Sequence, residues 1–155
     1  MPTLPTAPFS WTFQVRWGDM DLNAHMRNTA YLDTAVDVRM MYFAAHGFPF
    51  REFEKLRLGP VVQRDELEYY RELHLLDSVT VTLELAGISL DASRFRIRND
   101  FLRQDGTLAA RLTTTGGWLD LGRRRLVAPP ETLATLLSVL PRTADFEELA
   151  PALKL

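Results

Sequence analysis

The stretch NTAYLDTAVDVRMMYFAAH, residues 28–46, contains neither glycine nor proline and is rich in alanine and methionine. Such a composition favours a helix. Asn28 or Thr29 offers an N-cap, and Gly47 with Pro49 just beyond marks the stop. At about 3.6 residues per turn the helix runs for roughly four to five turns. Asp33, Asp37 and Arg39 are its main polar interruptions, so it is apolar over most of its circumference. A helix of that kind needs neighbours on several sides, and the rest of the chain must supply them.

Upstream, Trp11, Phe13, Val15 and Trp17 alternate with Thr12, Gln14 and Arg16, the period of two of a half-buried strand. Downstream, Val79, Val81, Leu83 and Leu85 alternate with Thr80, Thr82, Glu84 and Ala86. Phe95, Ile97 and Phe101 then oppose Arg94, Arg96, Arg98 and Asp100, and Asp105-Gly106 marks a hairpin into residues 107–121. Residues 58–71 read less cleanly as another strand, and Glu131–Val139 as a short C-terminal helix. The fold class is therefore α+β, with one long helix and an antiparallel sheet of about five strands. Element order alone leaves open whether the sheet wraps the helix or lies flat beneath it.

A chain of 155 residues, 46% hydrophobic and 25% charged with no internal repeat, is one globular domain. A net charge of -2 provides no overall basic field, so no nucleic-acid partner is expected. The lack of cysteine excludes disulfides, thiolate nucleophiles and Cys-based metal sites, and suits a reducing cytoplasm. Residues 1–10 have neither a basic nor an apolar signal-peptide region and read as an extended arm. No run is long enough for a membrane span. The three histidines are too far apart for a local metal motif, and no phosphate-binding, dinucleotide or G-x-S-x-G motif occurs. The expected chemistry uses no metal and no cofactor.

The segment VRWGDMDLNAHMRNTAY, residues 15–31, carries Trp17, Gly18, Asp19, Asp21, His25, Asn28 and Tyr31 in the order of a known signature. It resembles that of the 4-hydroxybenzoyl-CoA thioesterase family. LEYYRELHLLDSVTV, residues 67–81, resembles the family's next strand and turn. The resemblance covers residues 11–128, which implies a hotdog domain, a sheet wrapped around the long helix, between the 1–10 arm and a helical extension at 129–155. One departure is Ala24, where the family usually has glycine before the histidine. If that position needs a positive φ, alanine costs about 1 kcal/mol or a little more.

The resemblance also implies hydrolysis of an acyl-CoA thioester, with Asp21 as nucleophile or general base. Backbone amides near Asn28, at the start of the helix, would serve the oxyanion. His25 is a candidate for orienting the loop or for catalysis, and Tyr31 for binding substrate. By position alone, Asp19 and Asp21 read first as turn residues bonding their own backbone, and Asp19 keeps that role beside the resemblance. The family's sites lie between subunits, so a homodimer or homotetramer is expected, in which Gln63, Asp65 and Glu66 of a second copy could complete each site. Ser93, Arg94 and Arg96 lie where the family often meets CoA phosphates, and guanidinium groups suit phosphate. Two other readings stay open: a hotdog dehydratase or hydratase using His25 as base, and a non-catalytic acyl-CoA-binding protein.

Overall fold

The computed structural model describes residues 9–152. Residues 1–8 of the expected N-terminal arm, and 153–155, lie outside the described residues. The chain runs β1 (Phe9–Gln14), a single 3-10 turn (Trp17–Asp19), α1 (Asn28–Ala45), α2 (Phe50–Leu56), β2 (Leu58–Tyr69), β3 (Ser78–Ser89), β4 (Arg94–Arg103), β5 (Leu108–Asp120), β6 (Arg125–Val127), α3 (Glu131–Ser138) and β7 (Arg142–Leu149). Five strands lie in the order β1-β3-β4-β5-β2, each antiparallel to its neighbours. β6 pairs antiparallel with the end of β5, and β7 joins β3 in parallel.

The alternation read from the sequence becomes the two faces of this sheet. Val79, Val81, Leu83 and Leu85 of β3, Phe95, Ile97 and Phe101 of β4, and Ala110 and Leu112 of β5 are buried on the concave side. Against them α1 lays Tyr31, Ala35, Val38, Tyr42 and Phe43, all buried. Tyr31 meets Phe101 edge-on with ring centroids 5.1 Å apart, and Phe43 meets Phe53 at 5.7 Å. Burying each such large apolar side chain contributes about 1.5–3 kcal/mol. The sheet thus wraps the helix, as the hotdog expectation required.

Three features depart from the reading of the sequence. Beyond the five expected strands the sheet carries two more, which the sequence did not show because β6 is too short to display a period and β7 (RTADFEEL) is too acidic to look like a strand. β7 nevertheless forms, its Asp145 and Glu147 pairing with Arg98 and Arg96 of β4. It reaches β3 only because Gly87 has no side chain: a Cβ there would lie 2.9 Å from the Glu147 carbonyl oxygen. Residues 129–152 are accordingly helix plus strand rather than a helical extension. Second, α1 begins at Asn28 with Arg27 as its N-cap, and neither Asn28 nor Thr29 caps it. The backbone of Arg27 is held extended because its N–H bonds the Asp19 carbonyl at 2.8 Å, so the helix starts one residue early. Third, Asp33 and Asp37 face solvent, but Arg39 is buried under the sheet.

β3's edge is covered by β1 along 78–83 and by β7 along 85–89. The sheet ends in β1 and β7 on one side and in β2 on the other, and none of the three has a partner on its outer edge among the described residues. The irregular pattern of 58–71 also finds its cause here, since a bulge between Val62 and Arg64 shifts the register at Gln63.

Candidate active site

The loop between the 3-10 turn and α1 is fastened before it reaches Asp21. Asp19 is 5% exposed, and its carboxylate accepts from the Arg16 backbone N–H at 2.9 Å and from the Arg16 guanidinium at 3.3 Å. Burial alone would raise its pKa, but the hydrogen bonds and charge of Arg16, with the charge of Arg27, hold it below the usual carboxylate range. A bridge between Met20 and Met26, and a bond from the Met26 N–H to the Leu73 carbonyl at 2.8 Å, close the loop. Asp19 therefore acts on the backbone.

Asp21, two residues on, is turned to a cleft of about 540 Å³ whose wall also includes His25, Asn28, Tyr31 and Tyr69. Its Oδ1 accepts from the Asn23 N–H at 2.8 Å, and its Oδ2 lies 3.3 Å from His25 Nδ1. That nitrogen is also 3.1 Å from the Met26 carbonyl oxygen. With an acceptor on each side, Nδ1 serves as a donor, and Nε2 has no partner among the described residues. The carboxylate has one hydrogen bond, at Oδ1, with His25 beside Oδ2, and remains reachable, its side chain being 28% exposed. The turn that delivers it passes through Ala24 at φ 62, the left-handed conformation anticipated from the glycine-to-alanine departure.

The opposite wall is the first turn of α1. The N–H groups of Asn28 and Thr29 have no acceptor among the described residues, as expected at a helix start, and Arg27 supplies no side-chain cap. The Arg27 guanidinium instead bonds the Gly18 carbonyl and the Thr29 hydroxyl. Tyr31 stands behind, 2% exposed, edge-on to Tyr69 with centroids 5.4 Å apart. Burial pushes its hydroxyl pKa up to about 12, so it is a neutral donor at physiological pH.

Other sequence-selected residues fall elsewhere. Gln63, Glu66, Arg94 and Arg96 line a separate depression of about 470 Å³ on the convex side of the sheet. Glu66 pairs with Arg64, and Arg96 bonds Glu147 and Thr115, whereas Arg94 Nε has no partner. Ser93 is 3% exposed, its hydroxyl donating to Asp91 at 2.7 Å and accepting from the Ala152 N–H at 2.8 Å, so it is turned away from that surface. Asp65 points to the concave side and accepts from the Thr114 hydroxyl at 2.6 Å. Thr114 in turn accepts from Arg39, which also donates to Asn99. Desolvation pulls the Arg39 pKa down to about 10, with Asp65 opposing, so the guanidinium stays charged near neutrality. Sequence reading passed over Asn99 and Thr114. The signal available was that Asn99 lies in phase with Phe95, Ile97 and Phe101, an amide on an otherwise apolar face.

Among the described residues no helix is long and apolar enough to cross a membrane. No curated protein matches the sequence. Among solved structures, the chain is similar to the protein SAV2348 from Staphylococcus aureus, determined in complex with CoA, at 28% identity and TM-score 0.77, covering 84% of this chain and 82% of that one. It is similar in fold to a putative oleoyl thioesterase from Lactobacillus plantarum, at 17% identity and TM-score 0.81, covering 99% of this chain and 57% of that one. The same holds for the 1,4-dihydroxy-2-naphthoyl-CoA thioesterase Slr0204 from Synechocystis, at 16% identity and TM-score 0.75, covering 84% and 95%. The family model of the thioesterase-like superfamily matches residues 15–137, which include the Asp21 loop, α1 and the sheet from β2 to β6. By that match and by its fold, the chain belongs to the thioesterase-like superfamily and is a hotdog thioesterase.

Proposed function

We propose that the protein hydrolyses acyl-CoA thioesters in the cytoplasm, with Asp21 as the catalytic carboxylate and the first amides of α1 as the oxyanion donors. One observation carries this reading: an accessible carboxylate and a helix start with unpartnered N–H groups line the same cleft. A thioester carbonyl seated between them would turn its oxygen to the amides of Asn28 and Thr29, where backbone donors and the positive end of the helix dipole favour developing negative charge. Asp21 would then attack the carbonyl carbon, or take a proton from the water that does. In either case the tetrahedral intermediate expels the CoA thiolate, and after direct attack water then cleaves the acyl–Asp21 anhydride to release the free acid and restore the carboxylate. His25, through Nδ1–H, holds the carboxylate in place. Tyr31 backs the acyl side of the cleft.

The unpaired edge of β2 supports assembly as a homodimer through that edge, which would pair an otherwise exposed row of N–H and C=O groups. Such a partner would present its own Gln63, Asp65 and Glu66 near the joint. Of the two sequence-selected arginines, Arg96 is already paired with Glu147, which leaves Arg94, with no ion pair among the described residues, as the candidate for a CoA phosphate.

The test is release of free CoA from an acyl-CoA panel. Asp21→Asn is expected to lower kcat/KM by about 100-fold or more, the usual weight of a positioned acid–base group, with the thermal midpoint kept. Equal rates in the two proteins would remove Asp21 from the reaction. Hydration of an enoyl-CoA without CoA release would instead favour the His25 hydratase.

A further inference from the structure

Arg39 plays no part in the chemistry at Asp21, yet it is a charge buried in the middle of the core helix at 8% exposure. Leucine there would complete the apolar face, and a buried cation is costly unless something uses it. Its Nε and Nη2 both donate to Asn99 Oδ1, at 3.1 and 2.9 Å, and Nη2 also donates to Thr114 Oγ1 at 2.6 Å. The Thr114 hydroxyl passes its proton side to Asp65 Oδ1. Nη1 has no partner among the described residues and is not sealed from solvent. The guanidinium is therefore held in a fixed orientation with one nitrogen still open.

Its place relative to the cleft follows from helix and strand geometry. Asn28 and Arg39 are eleven residues apart, close to three full turns, so they lie on one face about 16 Å apart along the axis. Side chains on a helix lean toward its N-terminus, which brings the guanidinium back toward the cleft. Leu32 and Ala35 lie between them on the same stripe. On β2, Asp65, Leu67 and Tyr69 alternate onto the concave side and span roughly 13 Å, Tyr69 meeting Tyr31 of α1 and Asp65 reaching Arg39 through Thr114. Tyr69 lines the Asp21 cleft and Asp65 ends the Arg39 network, so strand and helix mark the same two ends. Between these ends the strip is apolar, and it runs beside the free edge of β2.

We propose that this strip holds the acyl group, and that Arg39 Nη1 binds a hydrogen-bond acceptor at its far end. The substrate class is then a medium-length acyl-CoA bearing a distal carboxylate or hydroxyl. This deepens the thioester reading of the Asp21 cleft and rests on it. A guanidinium is donor-only, so it selects for an acceptor, and a distal methyl would leave Nη1 without one.

The experiment measures kcat/KM of the full chain for matched sets of acyl-CoAs at several chain lengths, each set being plain, ω-hydroxy and ω-carboxy. At one length a polar-ended substrate is expected to exceed its plain counterpart by about tenfold or more, as in sites built to bond a substrate polar group. Arg39→Met should bring that ratio to about one. Asp65→Asn, which removes the nearby negative charge at an exposed position, should raise the ratio for the carboxylate. The opposite signs separate ligand recognition from a merely structural role, and Asp65→Asn with the wild-type ratios carries the test if Arg39→Met does not fold. Plain substrates equal to or better than polar ones at every length would overturn the proposal while leaving the thioesterase reading intact. No CoA release from any substrate would instead remove that reading, and this one with it.

Discussion

Replacing Asn99 by leucine removes the acceptor of two hydrogen bonds from a buried cation and leaves that cation in place. Asn99 is 0% exposed, takes Arg39 Nε and Nη2 at 3.1 and 2.9 Å, and donates to the Thr82 carbonyl at 2.9 Å. Hydrogen bonds to charged groups contribute about 1.5–3 kcal/mol each, and stripping one partner from a buried charge typically costs about 3–5 kcal/mol. Leucine regains part of this through apolar burial, so the expected loss is about 3–4 kcal/mol. The Arg39→Met, Asn99→Leu double variant removes the charge as well, and Met fills the space of the arginine stem. It should lie within about 1 kcal/mol of the wild type, as apolar replacements of buried ionic groups often do. The cycle then shows a coupling of about 2–3 kcal/mol or more between the two positions. Urea unfolding at one fixed protein concentration measures it, because assembly would otherwise shift the apparent stability. A double variant as unstable as the sum of the singles would refute the account of Arg39 as a buried charge satisfied mainly by Asn99.

Two further outcomes are expected. Ala24→Gly relieves a left-handed residue at φ 62 and should stabilise the fold by up to about 1 kcal/mol, read as a higher thermal midpoint; no rise would mean that the loop holds no strain there. The Asp19 carboxyl titrates lower in the folded chain than in the unfolded one, so its contribution is complete above the ordinary aspartate pKa of about 3.9 and fades as pH falls through its folded value. Asp19→Asn should accordingly flatten the acid limb of the stability–pH curve, and an unchanged limb would show that Arg16 and Asp19 do not hold the loop.

The parts of the site that were legible in the sequence are local ones. Asp21, His25, Asn28 and Tyr31 fall within eleven residues, and a turn followed by a helix brings them to one cleft. The positive φ at Ala24 was likewise legible, because it belongs to a single residue's backbone. Tyr69 lies far along the chain, and it reaches Tyr31 only when β2 takes its place at the end of the sheet. The Arg39 network joins four elements, α1, β4, β5 and β2. An arginine in a helix and a threonine in a strand are ordinary when each is read by itself.

By itself the sequence determined the long apolar helix, the alternating strands, the Asp105-Gly106 hairpin and the loop carrying Asp21, all of which rest on periods of a few residues or on the conformational preference of single ones. Tertiary structure alone decided that the sheet curls rather than lies flat, that acidic β7 becomes a strand beside Gly87, that Arg39 turns inward, and that Asp65 and Glu66 face opposite sides. The physical reason is the same in each case. These outcomes depend on which distant surfaces meet, and a charge or a weak strand takes its place only once a partner from another part of the chain has arrived.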